Sequence, residues 1–333
     1  CLSFVVHSVE LARVMPYGRY WTSGPSDWWL LGFYALFTVG ALLHFSIHLK
    51  WKWWSIAAGL WCSLLFLDLR LPFREENELR VTVLSVGHGF AVVGELPDGR
   101  TLLYDAGCLS APEFAARAVS GYLFSRRIRT IDQLIISHAD ADHYNALPEL
   151  LRRFSVQQAY YTRRMFRDEA EPLRVLQNAL AVAGVSTCHI ARGDVLCADD
   201  LLAVKVLHPP KEDIPGNDKA SSAVLQIDFG KKRLLLTGDI ESPGLEMLLD
   251  ASRPKLDVLL VPHHGSPRSR PIEIAQWAAP KFAVISGSFR DRSDAVAEAY
   301  RGVGATVYHT ADWGAVQFRF TAETCEVSTF HAP

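Results

Sequence analysis

The sequence has no CxxC pair. Its six cysteines (Cys1, Cys62, Cys108, Cys188, Cys197 and Cys325) are scattered, which argues against a thiolate zinc site and against a dense disulfide framework. Cys188 and Cys197 could bridge in an oxidising compartment, but unpaired buried thiols are the expectation. A surplus of positive charge is also missing. With a formal net charge of −2 the chain has no global attraction for nucleic acid or anionic lipid, so a DNA partner requires a local basic patch. No internal repeat or low-complexity tract is present. No basic stretch leads a short apolar run to a cleavage site after Cys1, so the chain reads as part of a longer polypeptide rather than one with its own signal peptide. Its 333 residues suit one large domain or two modest ones.

What is present changes character near residue 75. Most of the tryptophan lies before that point and nearly all the acidic residues after it. Residues 29–49 carry no formal charge and match a membrane span of about 20 residues. A second apolar run, 53–67, follows after Lys50, Trp51 and Lys52. Trp28, Trp29, Trp51, Trp53 and Trp54 fall where an interfacial aromatic belt belongs. The expectation is a membrane region over 1–75 with two transmembrane helices. Lys50 and Lys52 lean the loop toward the cytoplasm, which would put the remainder, 76–333, on the external side of the inner membrane.

From Glu78 onward, short β-branched runs alternate with turns. Strands are expected at 79–86, 101–104, 131–137, 202–207, 223–229, 233–237, 258–261, 282–286 and 316–320. Pro97-Asp98-Gly99 and Gly230-Lys231-Lys232 supply hairpin turns. Helical patterns at 113–122, 148–154 and 172–182 complete an α/β domain.

The densest chemistry lies at Ser137-His138-Ala139-Asp140-Ala141-Asp142-His143, directly after an apolar strand. Four metal-competent side chains in six residues can be aimed by one turn into one cavity, and imidazole with carboxylate suits a divalent ion. A turn that merely caps the next helix needs one Asp, not this cluster; two carboxylates at close range repel without a cation.

HADADH resembles the HxHxDH motif of the metallo-β-lactamase fold, with Asp140 at the second His position. Supporting elements follow in order: Leu103-Tyr104-Asp105-Ala106-Gly107, then Leu236-Thr237-Gly238-Asp239, then Val261-Pro262-His263-His264-Gly265-Ser266. Together with the apolar N-terminal region and the segment VLSVGHGFAVV, these resemble the ComEC family of DNA-internalisation proteins, in which a polytopic channel precedes such a domain. The resemblance implies a metallo-β-lactamase-like αββα sandwich preceded by transmembrane helices. It further implies a metal-dependent phosphodiesterase that degrades the non-transported strand of incoming DNA. Its partners would be single-stranded DNA, the membrane and the rest of the competence channel and DNA-uptake machinery.

The implied ligands are His138, Asp140 and bridging Asp239 for one ion, and Asp142, His143, Asp239 and His264 for another. Asp142 and His263 carry catalytic roles, His263 by orienting ligands or contacting phosphate. Two divalent ions would polarise a phosphoryl oxygen and lower the pKa of a bound water. Asp140 in place of His hardens the set and favours Mn²⁺ over Zn²⁺, with Mg²⁺ a further candidate. His208 is a candidate extra ligand, while His309 reads as structural. Ser221, Ser222 and Ser266 are candidate phosphate contacts. Arg126, Arg127 and Arg129, Arg163 and Arg164, and Arg268 and Arg270 could track a phosphate backbone.

Departures from the family pattern stand at Ser85 and Phe90, where acidic residues are usual, at His88, and at 288–293, which lacks the usual His. They motivate a second reading: a catalytically weak or inactive structural module of the channel. A small-ester or small-phosphodiester hydrolase is a third.

Overall fold

The computed structural model describes residues 2–14, 24–44, 51–68, 77–321 and 323–331. Two compact units divide the chain, one of Cys1–Arg74 with Leu123–Ile128, the other of Glu75–Tyr122 with Arg129–Pro333.

The first unit contains helices α1 (Leu2–Val14), α2 (Asp27–His44) and α3 (Trp51–Asp68). The α2 and α3 helices meet through Trp29, whose indole N–H donates to the Trp61 carbonyl at 3.1 Å. The spans expected at 29–49 and 53–67 need correction. No helix among the described residues is long and apolar enough to cross a membrane. The α2 and α3 helices have 18 residues each, a rise of about 27 Å against a hydrocarbon core of about 30 Å. Asp27, Lys52 and Asp68 also fall within those lengths. Residues 45–49 of the first expected span, and Lys50 of the loop, lie outside the described residues.

The second unit stacks two sheets. One has the strands β1 (Leu79–Val83), β2 (Ala91–Glu95), β3 (Thr101–Ala106), β4 (Thr130–Ile136), β5 (Ser155–Tyr161) and β6 (Ser186–His189), with β14 (Val316–Phe320) and β15 (Cys325–Thr329). Its order is β15-β14-β1-β2-β3-β4-β5-β6. The other has β7 (Val195–Ala198), β8 (Leu202–His208), β9 (Val224–Phe229), β10 (Lys232–Leu236), β11 (Val258–Leu260), β12 (Phe282–Ile285) and β13 (Thr306–His309). These are ordered β13-β12-β11-β10-β9-β8-β7. Between them come α4 (Pro112–Ser125), α5 (Ala141–Tyr144), α6 (Leu147–Leu150), α7 (Glu171–Val182), α8 (Gly244–Leu249), α9 (Pro271–Ala278), α10 (Asp294–Arg301) and α11 (Thr310–Trp313).

Period-two alternation explains the layers. On β10, Leu234 and Leu236 enter the core between the sheets, while Leu235 joins the cluster under α8, α9 and α10; on β11, Val258 and Leu260 face one way and Leu259 the other. A central strand buried on both faces reads as a continuous apolar run, and each such fully buried leucine contributes about 2 kcal/mol. On the first sheet Val81 and Val83 point to the inter-sheet core, whereas Thr82 between them meets the Tyr122 hydroxyl of α4 at 2.8 Å. Helices thus flank two central sheets, the metallo-β-lactamase-like α/β arrangement. The helix expected at 148–154 stops at Leu150, because Leu151–Phe154 turn to feed β5. Cys62, Cys108, Cys188, Cys197 and Cys325 are all free thiols.

Candidate metal centre

Strand β4 delivers Ser137 and His138 at its C-terminal end, and the chain then coils into α5. Asp140 occupies the N-cap position of α5 with extended backbone, yet its side chain makes no cap hydrogen bond. The capping explanation for this carboxylate therefore fails locally.

Two loops clamp α5 from the side. A Cβ on Gly107 would stand 2.5 Å from the Asp142 carbonyl carbon, and one on Gly89 would stand 2.9 Å from the Asp142 carbonyl oxygen. Only glycine permits backbone to approach the ligand turn this closely. The Phe90 amide also donates to the Asp142 carbonyl.

Beneath the ligands lies Asp105, fully buried, with a left-handed φ of 56°. Its carboxylate accepts from the Ser137 amide at 2.7 Å, from the Ser137 hydroxyl at 2.7 Å and from His143 Nδ1 at 2.8 Å. His138 Nδ1 is in turn 2.9 Å from the Ser137 hydroxyl oxygen. Both imidazoles are thus tied down through Nδ1, which leaves their Nε2 lone pairs aimed into the cavity. Outer-sphere carboxylates of this kind fix tautomer and ring orientation for a metal.

The cavity side gives the test of fit. His138 Nε2, His143 Nε2 and Asp239 Oδ1 are buried and have no hydrogen-bond partner among the described residues. His143 Nε2 and Asp239 Oδ1 nevertheless stand 3.1 Å apart. Two lone-pair atoms that close repel unless a proton or a cation lies between them.

Around the same point, His264 Nε2 is 3.0 Å from Asp142 Oδ2 and 3.8 Å from Asp239 Oδ1, and His143 Nε2 is 3.9 Å from Asp142 Oδ2. Ligands about 2.0–2.1 Å from a tetrahedral ion are separated by about 3.4 Å, within the spread of these neighbouring distances. Two triads have all their donor atoms within 4.8 Å of one another: His138, His143 and Asp239, and His88, Asp142 and His264. The donors present therefore fit a divalent ion.

Electrostatics bear the marks of this crowding. Burial disfavours ionised Asp142, but the His264 hydrogen bond and the charges of His143 and His264 bring its carboxyl down to about 2. Burial likewise opposes the charge on Asp239, and the surrounding imidazoles, His143 foremost, hold it well below the usual range. His143 is pushed up despite burial, by Asp239 and then Asp105.

The two late histidines diverge. Both have left-handed backbone, φ 51° at His263 and 53° at His264, a strained state that clusters at functional sites. His264 reaches the donor set, with Nδ1 donating to the Ser286 carbonyl at 2.9 Å. His263 stands to one side, Nδ1 2.7 Å from Glu241 Oε1 and Nε2 3.6 Å from Asp239 Oδ2.

Asp140 is the member of the cluster set apart. Its Oδ2 is 3.5 Å from His138 Nε2, but 2.7 Å from Lys219 Nζ, which is also 2.5 Å from Asp239 Oδ2. Nothing in the local sequence around Lys219 signals this contact. His88 is the other residue that motif reading leaves without a role. Its Nε2 is 3.5 Å from Asp142 Oδ2 and its Nδ1 2.7 Å from Asp291 Oδ1. The departures at His88 and at 288–293 thus meet each other in space. Phe90 stacks on His143, with ring centroids 4.9 Å apart, and lies tilted against His264 at 4.6 Å; Ser85 donates to the Thr310 carbonyl.

Several candidates lie outside the donor set. His208 is fully buried and its Nε2 donates to the Ala220 carbonyl at 2.8 Å. His309 accepts from the Ala311 amide at the start of α11. Ser266 accepts from the Arg268 amide, whereas the buried Ser222 hydroxyl has no hydrogen-bond partner among the described residues. Arg164 is engaged by Asp213 and by the carbonyls of Ile214, Gly216 and Asn217. Arg270 is engaged by Glu246 and Glu273.

The model of the metallo-beta-lactamase superfamily matches residues 85–270. The chain is similar to ComE operon protein 3 of Bacillus subtilis, at 30% identity over 80% of the chain and 36% of that protein. It is similar to competence protein ComA of Neisseria gonorrhoeae, at 28% over 78% of the chain and 35% of that protein. Recombination protein 2 of Haemophilus influenzae is 26% identical over 79% of the chain and 31% of its own length. The chain therefore spans about a third of the length of these curated relatives.

Proposed function

The chain belongs to the metallo-β-lactamase superfamily, and from that premise we propose that its second unit is a metal-dependent phosphodiesterase that cuts DNA during DNA uptake. The observation that carries the metal is the set of three buried atoms, His138 Nε2, His143 Nε2 and Asp239 Oδ1, without a hydrogen-bond partner among the described residues. DNA as the substrate class, and the uptake machinery as the partner, are supported by likeness to one relative named as a competence protein and another named as a recombination protein.

A divalent ion held by His143, Asp239, Asp142 and His264, with His138 beside it, would polarise a phosphoryl oxygen and acidify water. The chain's own residues do the rest. Asp105 and Ser137 hold the imidazoles in their ligating tautomer. His263, off to one side with Nδ1 2.7 Å from Glu241 Oε1, would contact a phosphate oxygen. With Asp140 directed to Lys219, the remaining donors mix imidazole and carboxylate and suit Mn²⁺ and Zn²⁺ alike.

The test is cleavage of single-stranded DNA by the purified chain after loading with Mn²⁺ or Zn²⁺. Asp142→Ala and His264→Ala are each expected to lower the rate by at least 100-fold. Full activity in either variant ends the proposal. A catalytically silent module of the channel is the second reading, favoured by Phe90 and Ser85. It would be established by the absence of stoichiometric metal together with unchanged DNA uptake in Asp142→Ala.

A further inference from the structure

We propose that the Lys219 ammonium takes the place of one divalent ion, so that this chain binds a single ion where its motif pattern calls for two. The inference rests on the metal-dependent reading above and specifies how it is realised here. In the motif pattern Asp140 and Asp239 share an ion. In the structure their Oδ2 atoms share a lysine instead, 2.7 and 2.5 Å from Nζ. A dication drawn to the same two oxygens would lie a few ångströms from a fixed positive charge, and Coulomb repulsion at that range is large in a poorly screened site.

Lys219 is held in place rather than loose on the surface. It opens the short turn Lys219–Ser221, and Ala220 beside it is fully buried. The Ala220 amide donates to Asn217 Oδ1 at 3.1 Å, and the Ala220 carbonyl accepts from His208. The preceding loop is clamped by the Arg164 guanidinium through the carbonyls of Ile214, Gly216 and Asn217. The lysine side chain is only 17% exposed. His208, a candidate extra ligand in the sequence, thus supports the lysine turn from below.

A second dication on these oxygens would lie beside an ammonium that already pairs with them, and poorly compensated charge in a buried site is costly. Of the partnerless donors, His138 Nε2 lies beside the lysine-bound oxygens, 3.5 Å from Asp140 Oδ2 and 3.9 Å from Asp239 Oδ2, whereas His143 Nε2 faces the other Asp239 oxygen, Oδ1, at 3.1 Å with His264 Nε2 3.8 Å from it. The position between Asp140 and Asp239 Oδ2 thus holds an ammonium, and the donors around Asp239 Oδ1 and Asp142 are the ones left for an ion.

The experiment is metal content per chain. Purified protein is loaded with Mn²⁺, and separately with Zn²⁺, freed of excess by gel filtration and analysed by inductively coupled plasma mass spectrometry. Wild type and Lys219→Arg are expected to hold one ion, and Lys219→Met, which keeps the stem but not the charge, two. Circular dichroism and a thermal melt establish that each variant is folded. Two ions in wild type overturn this proposal and leave the phosphodiesterase reading intact; no ion in wild type overturns both. One ion in folded Lys219→Met refutes the role given to the lysine. If that variant does not fold, the counts in wild type and Lys219→Arg decide.

Discussion

Replacing Asp105 by asparagine changes one oxygen into an NH₂ group at the base of the metal centre and leaves shape and backbone nearly untouched. Asparagine tolerates the left-handed backbone that Asp105 adopts. The amide oxygen can still accept from the Ser137 amide. The other terminus, where the carboxylate receives the Ser137 hydroxyl and His143 Nδ1 at 2.7 and 2.8 Å, now donates. The hydroxyl can rotate to accept, but His143 cannot keep its proton on Nδ1 against a facing donor. The proton moves to Nε2, the atom needed as a ligand. Loss of such an outer partner costs metal affinity by about 10- to 100-fold, equivalent to about 1.4–2.7 kcal/mol. The assay is a competition titration against a chromogenic chelator, run beside a thermal melt of the metal-free protein. Affinity in Asp105→Asn within twofold of wild type, with the fold intact, would refute the tautomer argument.

Gly107→Ala should be more disruptive than its size suggests. The new methyl would overlap the α5 backbone at 2.5 Å, and the turn that must yield carries Asp142 and His143; a stability loss of about 1–3 kcal/mol with loss of bound metal is expected from urea denaturation and metal analysis, and wild-type values for both would be incompatible with the clamp. Stability should also fall in mild acid because of His208, whose pKa burial lowers to about 4 from an ordinary 6.5. The unfolded chain takes up the proton first as pH drops through 6.5, so this contribution is whole above 6.5 and declines toward 4. Between pH 7 and 5 the loss is about 2 kcal/mol, and His208→Gln should remove that part of the slope; an unchanged slope in the variant would reject the assignment.

Much of the centre was legible in the amino-acid order because it is local. A strand followed by a ligand-rich turn needs no distant information: β4 running into His138, Asp142 and His143 follows from an apolar run ending at the HADADH turn. The same holds for β10 ending before Asp239 and β11 ending before His263 and His264. Period-two apolar runs likewise announced most central strands. β2, β5, β6, β7, β13 and β15 were missed, and all but β5 have only 4 or 5 residues. The N-terminal apolar runs predicted helices, and α2 and α3 form within them, though among the described residues neither is long and apolar enough to cross a membrane.

What the sequence determined by itself, then, is the residue chemistry and the order of motifs, and through these the family. The tertiary structure alone decided how those residues are partnered. It put His264 against Asp142 and His263 against Glu241, through left-handed turns that point neighbouring rings in different directions. It brought His88 to Asp291 across 203 positions and Lys219 to Asp140 and Asp239. Such contacts depend on where loops from two different sheets come to rest. That placement is set by packing of the whole core, so no local pattern at position 219 could announce a positive charge between Asp140 and Asp239 of the candidate metal centre.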